Sequence, residues 1–160
     1  MGLIYLDACL LIYAIERDPV FGQRTLAALA SKPGKIFAIS PLTKLECLVK
    51  PLKDGDLVLQ QYYEEALAQL VQLPMTEPIF LQAARLRARF GLKTPDALHL
   101  ACAQHHGCEA LWTNDKRLAV AGHGLAHDVL KQVELAQAQA VEGTLGEWLK
   151  KKDKKAFENL

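Results

Sequence analysis

A chain of 160 residues, 51% hydrophobic and 23% charged, has room for one domain and the balance of an ordinary globular protein. That excludes wholesale disorder, collagen-like repeats and coiled coils. Lys+Arg 19 against Asp+Glu 18 leaves a net charge of +1, so no global field marks a nucleic-acid binder, and any polyanion must be held by a local patch.

The opening run MGLIYLDACLLIYAI is apolar, yet it lacks a basic n-region and a small-residue cleavage site, and Asp7 splits it in two. It also falls short of the ~20 apolar residues a membrane-spanning helix needs. A soluble, cytoplasmic protein with no membrane role is expected. Within this run Leu3–Leu6 is a β-branched and aromatic stretch bounded by Gly2 and Asp7, which predicts a buried strand, with helix following through Ile15. A second helix is expected over 19–30, ended by the Ser31-Lys-Pro-Gly34 breaker. Ile36–Ile39 is the next strand. Ser40 then caps a helix with Pro41 at its first position. An amphipathic helix over 60–73, a short strand over 73–75 and a helix capped by Thr76 and ended by Gly91 follow. Thr94-Pro95-Asp96 opens a further helix that Gly107 closes; Ala110–Thr113 is a buried strand, and a weak last strand is expected within 125–130.

Strands separated by helix-length segments pair in parallel through crossovers, which predicts a three-layer α/β/α sandwich. The chain divides into a domain over 1–130 and a helical extension over 131–160, Ala/Gln-rich and then basic, which carries no strand signal and is expected to be peripheral. The four cysteines, Cys9, Cys47, Cys102 and Cys108, are too few for a disulfide scaffold and contain no C-x-x-C pair, which predicts reduced core thiols.

A parallel sheet binds ligands at the carboxyl ends of its strands. Asp7 follows the first strand directly, Asp115 lies just past Ala110–Thr113, Glu46 is about two turns into the helix leaving the second strand, and Asp96 sits in the first turn of its helix. Each also has a plainer role open to it. Asp96 complements a helix dipole, Asp115 serves as a turn residue, and Glu46 lies on a solvated face. Asp7 is the hardest to dismiss, since an acid between two apolar runs must be paired or ligating. Four carboxylates in one cleft repel and are costly to desolvate, so they persist only when protons or divalent cations neutralise them. Hard oxygen ligands favour Mg²⁺ or Mn²⁺ over Zn²⁺. Such ions activate water and stabilise in-line displacement at a phosphodiester, the chemistry of a metal-dependent nuclease.

The order strand–Asp7, S-P-L-T-K-L-E ending at Glu46, T-P-D-A-L-H-L-A around Asp96 and L-W-T-N-D ending at Asp115 resembles the PIN-domain ribonucleases, in particular the VapC-type toxins of bacterial toxin–antitoxin modules. The resemblance covers roughly residues 2–130. It implies a parallel sheet of four or five strands and an Mg²⁺- or Mn²⁺-dependent endoribonuclease. It also implies a homodimer neutralised by an antitoxin whose tail fills the acidic groove. Carried over by position, Asp7 and Asp96 are the metal ligands, Glu46 and Asp115 complete the quartet, and Thr113 is a supporting hydroxyl. The sequence departs from the pattern at Cys9, where many relatives carry Asn or Ser. Two alternatives stand beside the toxin: a PIN nuclease of RNA processing without antitoxin, and a non-catalytic PIN-like module that binds RNA or protein. The intact quartet argues against the module, which has no reason to retain its electrostatic cost. Apolar helix faces within 57–73 add to the expectation of a dimer.

Arg85, Arg89 and Lys93 are candidates to hold RNA phosphates, with a solvated helix face as the equal alternative. Cys102, His105, His106 and Cys108 crowd one helix end without the spacing of a closed zinc site. His99 reads as a packed core histidine rather than a general base.

Overall fold

The computed structural model describes residues 2–131 together with 148, 149, 151 and 152. At its centre β1 (Leu3–Leu6) pairs in parallel with β2 (Ile36–Ile39) on one side and β4 (Ala110–Thr113) on the other. A two-residue β3 (Val71–Gln72) extends the sheet beyond β2, and β5 (Ala126–Asp128) extends it beyond β4. The order is β3-β2-β1-β4-β5, every pairing parallel, as the sequence predicts.

Alternation along the strands sorts the two cores, because successive side chains leave opposite faces of a sheet. Ile4, Leu6, Phe37, Ile39 and Trp112 pack on one face against α1 (Ala8–Ile15), α2 (Gly22–Ala30) and α4 (Leu57–Leu67). Tyr5, Ala38 and Leu111 pack on the other against α5 (Glu77–Phe90), α6 (Thr94–His105) and α7 (Lys116–Ala121). With both faces covered, the architecture is the expected three-layer α/β/α sandwich.

Helix boundaries follow local chemistry. The helix expected over 19–30 starts only at Gly22, because the Asp18 carboxylate accepts from the backbone N–H groups of Val20 (2.9 Å) and Phe21 (2.8 Å) and holds a turn there. Ser40 opens α3 (Pro41–Asp54), its N–H donating to the Thr43 hydroxyl (3.3 Å). The helix expected over 60–73 lies earlier, at α4, because the Asp56 carboxylate caps it by accepting from Leu59 N (2.9 Å). The strand placed at 73–75 shifts with it to Val71–Gln72. There the Gln72 side-chain amide donates to the carbonyls of Leu67 and Leu70 (2.9 Å each) and closes the connection. Gly91 ends α5 in the left-handed region (φ 65), as expected of a glycine past a helix end.

Most of the extension expected over 131–160 lies outside the described residues. Past 131 the described residues 148, 149, 151 and 152 are helical; Trp148 and Leu149 pack against the core, whereas Lys151 is exposed. Leu149 is fully buried among the α1, α2 and α4 side chains, its carbonyl accepts from the Arg17 guanidinium (2.8 Å), and Trp148 stacks on Tyr62. Among the described residues no helix is long and apolar enough to cross a membrane.

Candidate active site

The sheet delivers its acidic residues to one edge. Asp7 is the first residue past β1 and is buried; its N–H still donates to Trp112 O (3.0 Å), which ties it to the end of β4. From that same end the Thr113 hydroxyl donates to Asp7 Oδ2 (2.8 Å) and accepts from Asp115 N (2.9 Å). Thr113 thus touches both acids, fully buried between them.

Asp115 precedes α7, and its Oδ1 accepts from Arg117 N (2.8 Å) and Leu118 N (3.2 Å). The turn role open to it in the sequence is therefore realised by one oxygen, while the residue also lines the cleft. Asp96 is half-buried in the first turn of α6. Its carboxyl is pushed above the usual carboxylate range, first by burial and then by the negative charges of Asp115 and Asp7. Glu46 reaches the same edge from α3. A cleft of about 540 Å³ is lined by all four carboxylates with Cys9, Tyr13 and Asn114. Burial, then the neighbouring Asp7 charge, raises the Cys9 thiol well above its ordinary range, so it is no nucleophile.

His99 is the site residue that sequence reasoning placed only in the core. It is completely buried, as expected, yet it also reaches the acids. Its Nε2 lies 2.5 Å from Glu46 Oε1 and 3.7 Å from Asp7 Oδ1, and its Nδ1 lies 2.6 Å from the Tyr5 hydroxyl. Tyr5 in turn meets the Ser40 hydroxyl at 2.7 Å. A carboxylate can only accept, so Nε2 carries a proton toward Glu46. Burial raises the Tyr5 phenol far above its normal range, leaving it neutral and able to donate to Nδ1. The available signal was spacing: His99 stands three residues after Asp96, on a neighbouring helix face.

Ligand atoms of Asp7, Glu46 and His99 all lie within 4.8 Å of one another. Asp96, expected beside Asp7 as a ligand, lines the cleft but is not part of that tighter group. Of the basic candidates, Lys93 lines a second cavity adjoining the cleft, whereas Arg85 and Arg89 line neither; the Arg89 guanidinium lies over the Phe90 ring. His106 Nε2 instead meets the Pro74 carbonyl (2.8 Å), and Cys102 and Cys108 are buried free thiols.

Several solved structures share this architecture. A chain of a toxin–antitoxin complex from Klebsiella pneumoniae is 27% identical with a TM-score of 0.66, covering 79% of this chain and 97% of its own. A chain of VapBC2 from Rickettsia felis, bound to a DNA fragment from their promoter, is 19% identical with a TM-score of 0.64, covering 78% and 97%. A chain of FitAcB from Neisseria gonorrhoeae is 21% identical with a TM-score of 0.61, covering 79% and 97%. Comparison with curated proteins returns no match. The family model of the PIN domain matches residues 4–124, a span that contains all four carboxylates, Thr113 and His99, and the chain belongs to the PIN-domain family.

Proposed function

We propose that this chain is an Mg²⁺- or Mn²⁺-dependent endoribonuclease and the toxin of a toxin–antitoxin pair. The observation that carries the reading is the meeting of Asp7, Glu46, Asp96 and Asp115 in one cleft at the carboxyl edge of a parallel sheet. Among the described residues no Lys or Arg forms an ion pair with any of them. Burial first, and then the charges of Asp115 and Asp7, raise the Asp96 carboxyl, and a divalent cation fits that excess of hard oxygen donors.

In this reading Asp7 and Asp96 hold the ion, and Glu46 and Asp115 complete the donor set. Thr113 fixes the Asp7 carboxylate, and His99 fixes that of Glu46. When bound, the ion neutralises the cluster and supplies water activation for in-line displacement at phosphorus. His99 is buried with both ring nitrogens engaged, so it is not placed to take the proton of a ribose 2′-hydroxyl. The products are therefore 5′-phosphate and 3′-hydroxyl ends.

The antitoxin partner is supported by the 27% identical chain, which was solved within a toxin–antitoxin complex. A homodimer is supported by the apolar side chains that α3 and α4 leave exposed, notably Leu45, Val49, Leu52, Leu57 and Val58. The nuclease unit is taken as 1–130, with 131–160 as an extension, acting in the cytoplasm on RNA.

The test is cleavage of single-stranded and structured RNA with Mg²⁺ or Mn²⁺, with analysis of the ends. Asp7→Asn should abolish cleavage while its circular dichroism and cooperative melt stay native. Cleavage that persists in excess EDTA and leaves 2′,3′-cyclic phosphates overturns the metal mechanism. RNA binding without any cleavage would instead assign a non-catalytic module.

A further inference from the structure

The acidic cleft continues into a second cavity of about 480 Å³, and the two share Asp96, Asn114 and Asp115. The walls of the second cavity change sign: it is lined by Lys93 from the segment before α6, and by Lys116 and Arg117 from the start of α7. All three side chains are exposed, and among the described residues none makes an ion pair or a side-chain hydrogen bond. The acids nearest them in sequence, Asp96 for Lys93 and Asp115 for Lys116 and Arg117, form no ion pair with them, and Asp115 Oδ1 accepts instead from the Arg117 and Leu118 backbone N–H groups. Three unpaired cations therefore face one cavity beside the carboxylates, in a chain whose net charge is only +1.

We propose that this cavity is a phosphate-binding subsite, in which Lys93, Lys116 and Arg117 hold the backbone of an RNA strand next to the position where it is cut. The proposal rests on the nuclease reading and names how that site takes its substrate. A polyanion cannot approach four carboxylates unaided, so a protein without a global positive field needs cations close to them. The chain fixes the register. Lys93 lies three residues before Asp96, and Lys116 and Arg117 follow Asp115 directly, so the cationic and acidic ends of the groove are tied through the same two backbone segments. The turn at Gly91, left-handed at φ 65, brings the Lys93 segment across to α7. Exposed charges contact phosphate without reading bases, so the subsite contributes affinity and position rather than sequence choice.

The experiment compares the full chain with the triple variant Lys93→Met, Lys116→Met, Arg117→Met, using one labelled single-stranded RNA. Steady-state cleavage is followed in Mg²⁺ over a range of KCl, and binding of the same RNA is measured by fluorescence anisotropy in EDTA, where nothing is cut. Three lost phosphate contacts should flatten the plot of log(kcat/KM) against log salt by about 2, at ~0.7 per contact for a single strand. KM should rise about tenfold or more with kcat nearly unchanged, since the carboxylates are untouched. Lys93→Arg, Lys116→Arg, Arg117→Lys should restore KM and the slope, which a mere folding defect would not allow. If the full chain cuts RNA and the methionine variant keeps its KM and slope, the subsite is overturned and the nuclease reading stands. If the full chain neither cuts nor binds RNA, both fall. If the variant loses binding of a poly-glutamate peptide while its RNA KM is unchanged, the cavity serves an acidic protein segment and the proposal fails.

Discussion

Breaking the contact between His99 and Glu46 tests whether that pair is a real hydrogen bond to charge or an incidental approach. The structure places Nε2 2.5 Å from Oε1, with the imidazole 1% exposed and the carboxylate side chain 32% exposed. A hydrogen bond to a charged group is worth about 1.5–3 kcal/mol when well shielded, and partial exposure of Glu46 reduces this to about 1–2 kcal/mol. His99→Leu removes the donor but leaves no orphan, since Tyr5 keeps Ser40 at 2.7 Å and Glu46 can turn to water. Glu46→Ala strands the Nε2 proton, because Asp7 Oδ1 at 3.7 Å is too distant to replace Glu46. Each single variant should therefore lose about 1–3 kcal/mol, and the double variant should lose less than the sum by about 1–2 kcal/mol. The assay is urea unfolding of the four proteins at pH 7 in EDTA, so that no ion enters the site. Additivity within about 0.5 kcal/mol would refute the pairing and with it the orienting role given to His99.

Three further outcomes follow from named groups. Asp96 has its carboxyl raised in the folded state, so its contribution to stability is complete below the unfolded value near 3.8 and is lost as pH rises through the folded one. In EDTA, Asp96→Asn should therefore gain in melting temperature over wild type as pH rises from ~4 to 7, whereas Mn²⁺ should raise the wild type more than the variant; a constant offset across pH contradicts this. Leu149→Ala should cost about 2–4 kcal/mol in urea titration, as for a fully buried leucine; a change below ~1 kcal/mol would mean that residues beyond 131 do not share the core. Burial pushes the Cys47 and Cys102 thiols up to about 12, so neither should react with Ellman's reagent at pH 8 in the native protein, while all four cysteines should react in guanidinium.

Local chemistry and long-range register contribute differently to what can be read from this chain. Strands β1, β2 and β4 and the starts of α3, α5 and α6 were legible because their signals are contiguous: apolar runs between breakers, and Ser40-Pro41, Thr76 and Thr94-Pro95 at helix entries. The carboxylates were legible for the same reason, since each lies within two residues of a strand end or in the first two turns of a helix, and parallel topology then sends all of them to one edge. The displaced α4 and β3 show where contiguity misleads. Periodicity within 60–73 is helical throughout, but the Asp56 cap and the pairing of Val71 with Ala38 decide where helix yields to strand.

Contacts between distant segments stayed hidden. Glu46 and His99 are 53 residues apart and Tyr5 and His99 are 94 apart, so nothing local in either stretch announces their hydrogen bonds. Thr113 reaches back 106 residues to Asp7 in the same way. The burial of Leu149 depends on a surface built by α1, α2 and α4, which no pattern within its own Gln- and Lys-rich neighbourhood describes. Propensity and capping act over a few residues and so can be read along the chain; which polar groups satisfy one another in the core depends on sheet register, which exists only once the strands have paired.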